Sequence, residues 1–199
     1  MFGWFVVVCD WLIKLSAKLL KIAAGAMMKK IIVAIIAMIA MPLCGAVEAA
    51  CNADVVITKA DNIYAVHGDG TVTDLETGLM WQQCSLGQSG SACTGTALSY
   101  TWKAALEEAQ AANVGAGSFG YTDWRLPSVA ELQTLNEKAC YSPAINITAF
   151  PATVSNAYWS GSPYVLDAVM AWIIHFNLGT EHVSQKGNAF NVRLVRGGQ

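Results

Sequence analysis

Apolar residues are spread unevenly along the chain, and the longest run comes early. From Met28 the sequence reads MKKIIVAIIAMIAMPLCGAVEA: two lysines, an apolar stretch from Ile31 to Leu43, then small residues. This is the layout of a secretory signal peptide, with Val47 and Ala49 at the small-residue positions and cleavage before Ala50. An uncleaved anchor is the alternative, but the run is shorter than the roughly 20 residues that cross a bilayer. Residues 1–27 precede a complete signal and read as an extension from a mis-assigned start codon. Their alternative is a short membrane-associated helix, since Leu12, Leu15, Leu19 and Ile22 share a helical face opposite Lys14, Lys18 and Lys21. The expected organisation is an extension at 1–27, a signal peptide at 28–49, an N-terminal segment at 50–62 and one domain at 63–199.

Beyond residue 50 the periods are short. In IYAVHGDGTVTDLETGLMW (63–81), turn residues HGDG and LETG separate extended pieces, which predicts a β-hairpin. Asp69 and Asp74 near Gly70 invite a calcium reading. Gly68, Thr71 and Thr73 interrupt the alternation of ligands such a loop needs, so turn formation is favoured. In TWKAALEEAQAAN, Trp102, Ala105, Leu106, Ala109 and Ala112 form one apolar stripe, which predicts an amphipathic helix ended by NVGAGSFG. A second helix starts at the capping box Ser128–Glu131 behind Pro127 and continues through Val129, Leu132 and Leu135 or Asn136 to about Lys138. After Pro143, AYWSGSP, AWIIHFN and AFNVRLVRG read as antiparallel strands with one buried face. Alternation turns Trp172, Ile174, Phe176, Phe190, Val192 and Leu194 inward, and Ile173, His175, Asn177, Asn191, Arg193 and Val195 outward. Hairpin, two helices and antiparallel strands in that order make an α+β chain.

Signal cleavage changes the charge. The mature chain keeps seven basic against twelve acidic side chains, a net of −5. That excludes the clustered lysines and arginines that nucleic acid demands. No membrane span is expected after cleavage. Cys51, Cys84, Cys93 and Cys140 remain, an even count that fits disulfides and a secreted, periplasmic or cell-surface location. Cys84 and Cys93 bracket SLGQSGSA, which suits a local bridge, and Cys51 then pairs with Cys140 by elimination. Zinc is the alternative, but no two of these cysteines are two to four residues apart.

Six separated pieces occur in a telling order: GTVTDLETGLMWQ, YTWKAALEEA, GYTDWRLPSVAELQTL, YWSGSPY, AWIIHF and VRLVRGG. From Tyr64 to Gly197 the chain resembles the bacterial domain family named after the C-terminus of the Legionella collagen-like adhesin. The resemblance implies a C-type-lectin-like fold, two helices packed on a curled antiparallel sheet, in exported and surface proteins. It also implies adhesion to sulfated polysaccharides in some members and diversified receptor binding in others, with variation in the stretch matching Trp159 to Arg196. In TDWRLP, Trp124 and Leu126 read as core plugs. Arg125 needs a carboxylate to offset its desolvation; Asp123 is close in sequence, and Glu131 is assigned to the cap.

Catalysis would need a nucleophile with a base, paired carboxylates or a metal cluster, and none shows. The wider fold superfamily includes formylglycine-generating enzymes, whose reactive cysteines lie late in the chain; here none follows Cys140. With a two-residue turn at Leu178-Gly179, His175 and His182 would face each other across a hairpin, and two ligands make a weak metal site. They read instead as a polar cross-strand pair. The expectation is a non-catalytic binding module without a cofactor. Its ligand-binding candidates are Tyr158, Ser160, Ser162, Tyr164, Asp167, His175, Asn177, Glu181, His182, Lys186 and Asn188, all on the outer face of the C-terminal hairpins. Aromatics with hydroxyls and amides suit a glycan; the same set suits a cell-surface protein. Net acidity weighs against a polyanionic glycan, unless Lys186 and the arginines form a local patch. A formylglycine-generating-like or metal-dependent enzyme and a subunit stacked by its edge strands are the alternatives. No repeat supports the stacked subunit, and the oligomeric state stays open.

Overall fold

The computed structural model describes residues 49–197. The expected extension at 1–27 and the signal peptide up to Glu48 lie outside the described residues. The rest is a mixed α/β arrangement, mostly sheet, and among the described residues no sheet closes into a barrel.

The N-terminal hairpin forms as its turns predict and gains a strand on each side. Strands β2 (Tyr64–Val66), β3 (Thr71–Asp74) and β4 (Met80–Gln82) make an antiparallel meander, and β11 (Val195–Arg196) returns beside β4. The two aspartates build the turns. Asp69 accepts from the Thr71 amide at 2.8 Å and its hydroxyl at 2.6 Å, while Asp74 accepts from the Glu76 amide at 2.9 Å. These are side-chain-capped turns, in which the carboxylate replaces a backbone acceptor.

The second sheet lies between the two apolar clusters of the described residues. Its order is β5 (Ser99–Tyr100), β10 (Phe190–Asn191), β7 (Ala157–Pro163), β8 (Met170–His175), β9 (Thr180–Gln185). It is not wholly antiparallel, because Asn191 of β10 lies parallel to Tyr158 of β7. Two further strands, β1 (Ala50–Cys51) and β6 (Cys140–Tyr141), pair separately, so a single curled sheet is replaced by three.

The expectation of one buried face fails for β7 and β8. Tyr158, Ile174 and the following Phe176 pack with Trp81, Val72, Phe150, Leu132 and Leu135. Trp159, Ile173, Ala157 and Ala171 pack with Trp124, Leu126, Val192, Leu194 and the helical Ala105 and Ala109. The sheet therefore lies between two apolar layers, and consecutive apolar residues are both buried. Trp172, expected inside, lies past the core and is half-exposed against Tyr164. The segment from Phe190 to Arg196 also differs. Its two ends belong to different sheets, and where the chain crosses between them Arg193, expected outside, is fully buried.

The helices are α1 (Trp102–Ala111) and α2 (Val129–Gln133). Thr101 caps α1 through the Ala104 amide at 3.3 Å. The Ser128–Glu131 box forms, but α2 stops at Gln133 instead of Lys138. The Thr134 hydroxyl donates to the Glu131 carbonyl at 2.7 Å, and the Leu135 and Asn136 amides reach back only three residues, tightening the chain out of α geometry. Glu131 also does more than cap. Its two oxygens take Arg125 in a fork of 2.7 Å and 2.7 Å while one still accepts the Ser128 amide at 2.7 Å. Arg125 completes its set on the Gly197 carbonyl at 2.9 Å, and Asp123 pairs with Arg196 at 2.7 Å. Trp124 and Leu126 are buried as expected.

Both disulfides have the expected pairing, Cys84–Cys93 and Cys51–Cys140. The second joins register partners of β1 and β6 across 89 residues. A closure of that length contributes about 4–5 kcal/mol by restricting the unfolded chain. Buried Glu137 reinforces the same tether, accepting from the amides of Thr58, Lys59 and Ala139. Burial pushes its pKa up, but these amides outweigh it and hold the carboxyl below its ordinary range.

Candidate functional site

The sequence candidates do not form one patch. Tyr158 and Ser160 are fully buried, which corrects their outward assignment. The Tyr158 hydroxyl bonds Ser85 Oγ at 2.7 Å, and Ser160 Oγ donates to the Trp172 carbonyl at 2.8 Å. Both satisfy the interior of a sheet that has no outer face at that point. The remaining candidates divide between the two ends of β7, β8 and β9.

At the turn end, β8 passes into β9. The expected two-residue turn is a four-residue one, Phe176 to Gly179, because Phe176 drops into the core. His175 therefore faces Thr180, and His182 faces Ile173. The two histidines lie diagonally on one face and are not opposite each other. Burial lowers the His175 pKa, and His182 nearby adds to the effect. Asn177 is committed to structure: its Oδ1 accepts from Ser142 Oγ at 2.7 Å and Ser155 Oγ at 3.2 Å. Asn136 Nδ2 donates to the Gly179 carbonyl at 2.9 Å, and the Ala144 amide donates to the Phe176 carbonyl at 2.6 Å. Glu181 and His182 stay exposed at the margin.

At the loop end, residues 164–169 join β7 to β8 and are built differently. The Tyr164 amide donates to the Met170 carbonyl at 3.0 Å, and Asp167 Oδ1 accepts the Val169 amide at 3.0 Å. Lys186 reaches across from the end of β9. Its Nζ donates to the Ala168 carbonyl at 2.7 Å and sits 4.3 Å from the centre of the Trp102 ring, a cation–π contact. On the other side Tyr164 and Trp172 meet edge to face at 5.4 Å. Between these aromatic pairs Val165 is 90% exposed, Leu166 80% and Val169 60%.

This end brings together Tyr164, Asp167 and Lys186. Ser162 is nearby but serves α2, accepting the Val129 amide at 3.0 Å, while Asn188 donates to Ser184 Oγ at 2.9 Å. Sequence reasoning missed Trp102, Trp172, Val165, Leu166 and Val169. For Val165, Leu166 and Val169 the signal was the run VLDAV, three large apolar residues in a connection that a turn does not require. Half-exposed aromatics, apolar tips and one oriented ammonium can hold a ligand by stacking and burial.

Two other places gather polar groups. Arg193 is a buried cation with no carboxylate within 4.0 Å among the described residues. It donates to Thr153 Oγ1 at 2.8 Å and lies 4.7 Å over the Phe150 ring. Burial brings its pKa down to about 10, partly opposed by Tyr158 and Tyr64, so it stays charged at neutral pH inside the core. It is out of reach of a surface ligand. A groove of about 580 Å³ also runs beside the Cys51–Cys140 bridge. Its polar groups bond one another: Asn146 Nδ2 donates to the Lys59 carbonyl at 2.8 Å and to Asp61 at 2.7 Å. Among the described residues no three His, Cys, Asp or Glu side chains are grouped to hold a metal.

The family model described as the Lcl C-terminal domain matches residues 70–196, within the span of the sequence resemblance. A search of curated proteins found no match.

Proposed function

Since the chain belongs to the Lcl C-terminal domain family, which suggests an adhesion-type module, we propose that it is an exported domain binding a glycan non-covalently through the loop end of its five-stranded sheet. The domain adopts a variant of the C-type lectin fold and carries out no chemistry. The observation that carries the reading is the pair of half-exposed aromatic contacts, Tyr164–Trp172 and Trp102–Lys186, flanking residues 164–169. Sugar rings stack on aromatic faces, and a fixed ammonium donates to ring hydroxyls. A glycan array probed with the mature protein tests it. Binding that Tyr164→Ala reduces at least tenfold supports the reading; a blank array counts against it.

A cell-surface protein is the second reading, favoured by the exposed Val165, Leu166 and Val169, since contiguous apolar tips mark protein contacts. Replacing Val165 and Leu166 by serine separates the two, abolishing attachment to a protein and sparing attachment to a free oligosaccharide. Export is supported by the two disulfides, which persist in oxidising compartments. N-terminal sequencing of the secreted protein should begin at Ala50; recovery of the uncleaved chain would contradict export by signal cleavage.

A further inference from the structure

Among the described residues, the two larger sheets present four edges, and one is unlike the rest. β5 and β11 have two residues each and β2 three, and β11 is covered where Arg125 exchanges backbone bonds with Val195 at 2.9 Å and 3.0 Å. The free edge β9 runs for six residues, Thr180–Gln185, sequence TEHVSQ. Folded proteins blunt such edges with proline, lysine, bulges or short length, because unpaired backbone groups recruit another strand. β9 has none of these and carries a single charged side chain, Glu181.

The ladder shows which groups are free. The Lys186 amide donates to the Val169 carbonyl at 2.9 Å, continuing the β8–β9 register. Bonded pairs alternate in an antiparallel ladder, so Ser184, His182 and Thr180 point their backbone groups at β8. Glu181, Val183 and Gln185 point theirs away. Only the Gln185 carbonyl has a partner on that side, the Asn188 amide at 2.9 Å, and a carbonyl accepts two bonds.

We propose that β9 pairs antiparallel with β9 of a second copy about a two-fold axis at Val183, joining two five-stranded sheets into one. In this register Val183 meets the other copy's Val183, and both outward backbone groups are exchanged. Each Glu181 faces the other copy's Gln185, carboxylate to amide, and exchanges backbone bonds with it. His182 faces Ser184, and Thr180 faces Lys186. No like charges are opposed, and the self-complementarity is what selects a second copy over an unrelated strand. Moving the axis to His182 would set imidazole against imidazole and lose the Glu181–Gln185 pairing.

The test is sedimentation of the mature protein over a concentration series. The wild type should show a reversible monomer–dimer equilibrium. Val183→Pro removes an amide that faces away from β8, so the fold should persist, as prolines are tolerated at strand edges, and the dimer should be lost. Gln185→Glu sets a carboxylate opposite each Glu181 across the axis and should weaken the dimer at least tenfold. Adding Glu181→Lys to it should restore the affinity. If Val183→Pro fails to fold, the charge pair alone decides. A wild type that stays monomeric to about 0.5 mM overturns the proposal and leaves the edge to an extended peptide from another protein. A dimer indifferent to Gln185→Glu, or one not restored by Glu181→Lys, overturns it as well.

Discussion

The two ends of β7, β8 and β9 are made from the same three strands, yet they are held in opposite ways. The turn end is fastened to the rest of the molecule: Phe176 fills the core, Asn177 takes two serine hydroxyls, and Asn136 holds Gly179. The loop end is fastened mainly to itself, by its own turn bonds and by Lys186. Its apolar side chains point at solvent, where burial gives the fold nothing. Tyr158, Ser160 and Asn177, which looked available for a ligand, are structural, while Trp102 and Trp172, which looked structural, are half-exposed.

The largest effect is expected at the turn end. Phe176→Ala should cost about 3–5 kcal/mol in denaturant unfolding, since the ring is fully buried and packs edge-on to Tyr158 at 5.1 Å. A loss below about 1 kcal/mol would mean that this end is as loosely held as the other. Asn177→Ala should cost less, about 1–3 kcal/mol, by stripping the acceptor from Ser142 and Ser155. The same readout serves, with Glu181→Ala as the neutral control.

A pH titration gives a smaller effect at the same end. His175 has a pKa below its ordinary 6.5 because burial disfavours its charged form. The unfolded chain therefore takes up the proton first as pH falls. The stability His175 contributes should be complete above about 6.5, decline as pH drops towards its folded pKa, and then level off. His175→Gln should flatten that part of the curve. An unchanged slope would show that the imidazole is as well solvated folded as unfolded. Smallest of all, Val165→Ser with Leu166→Ser should alter stability by no more than about 0.5 kcal/mol each, as for exposed positions generally.

How much of this was legible follows from the range of the interactions. Local chemistry read correctly: the turns at Asp69 and Asp74, the Ser128 cap, and the Cys84–Cys93 loop all depend on residues within about ten positions. Glu131 was read as spent on its cap, although a carboxylate accepts several bonds and holds Arg125 as well. The two-sided burial of β8 was written in the consecutive pair Ile173-Ile174, but alternation alone assigns one of them outward. The histidine register failed because Phe176 was counted in the strand instead of the turn. Arg193 could not be placed, since its burial comes from a segment that changes sheets, a fact of topology with no local period. The candidate site was half legible for the same reason. Tyr164, Asp167 and Lys186 were singled out, while Trp102 joins them only because α1 packs beside the end of β9.

On the proposed function, recognition belongs to the loop end and support to the turn end. The most direct measurement is the affinity of two double variants for the glycan that the array selects, each checked for an unchanged melting temperature. Tyr164→Ala with Lys186→Ala should lower affinity at least about tenfold, roughly 1.4 kcal/mol, while Glu181→Ala with His182→Ala at the turn end should leave it within about twofold. The reverse order, with the turn-end pair losing affinity and the loop-end pair keeping it, would contradict the account.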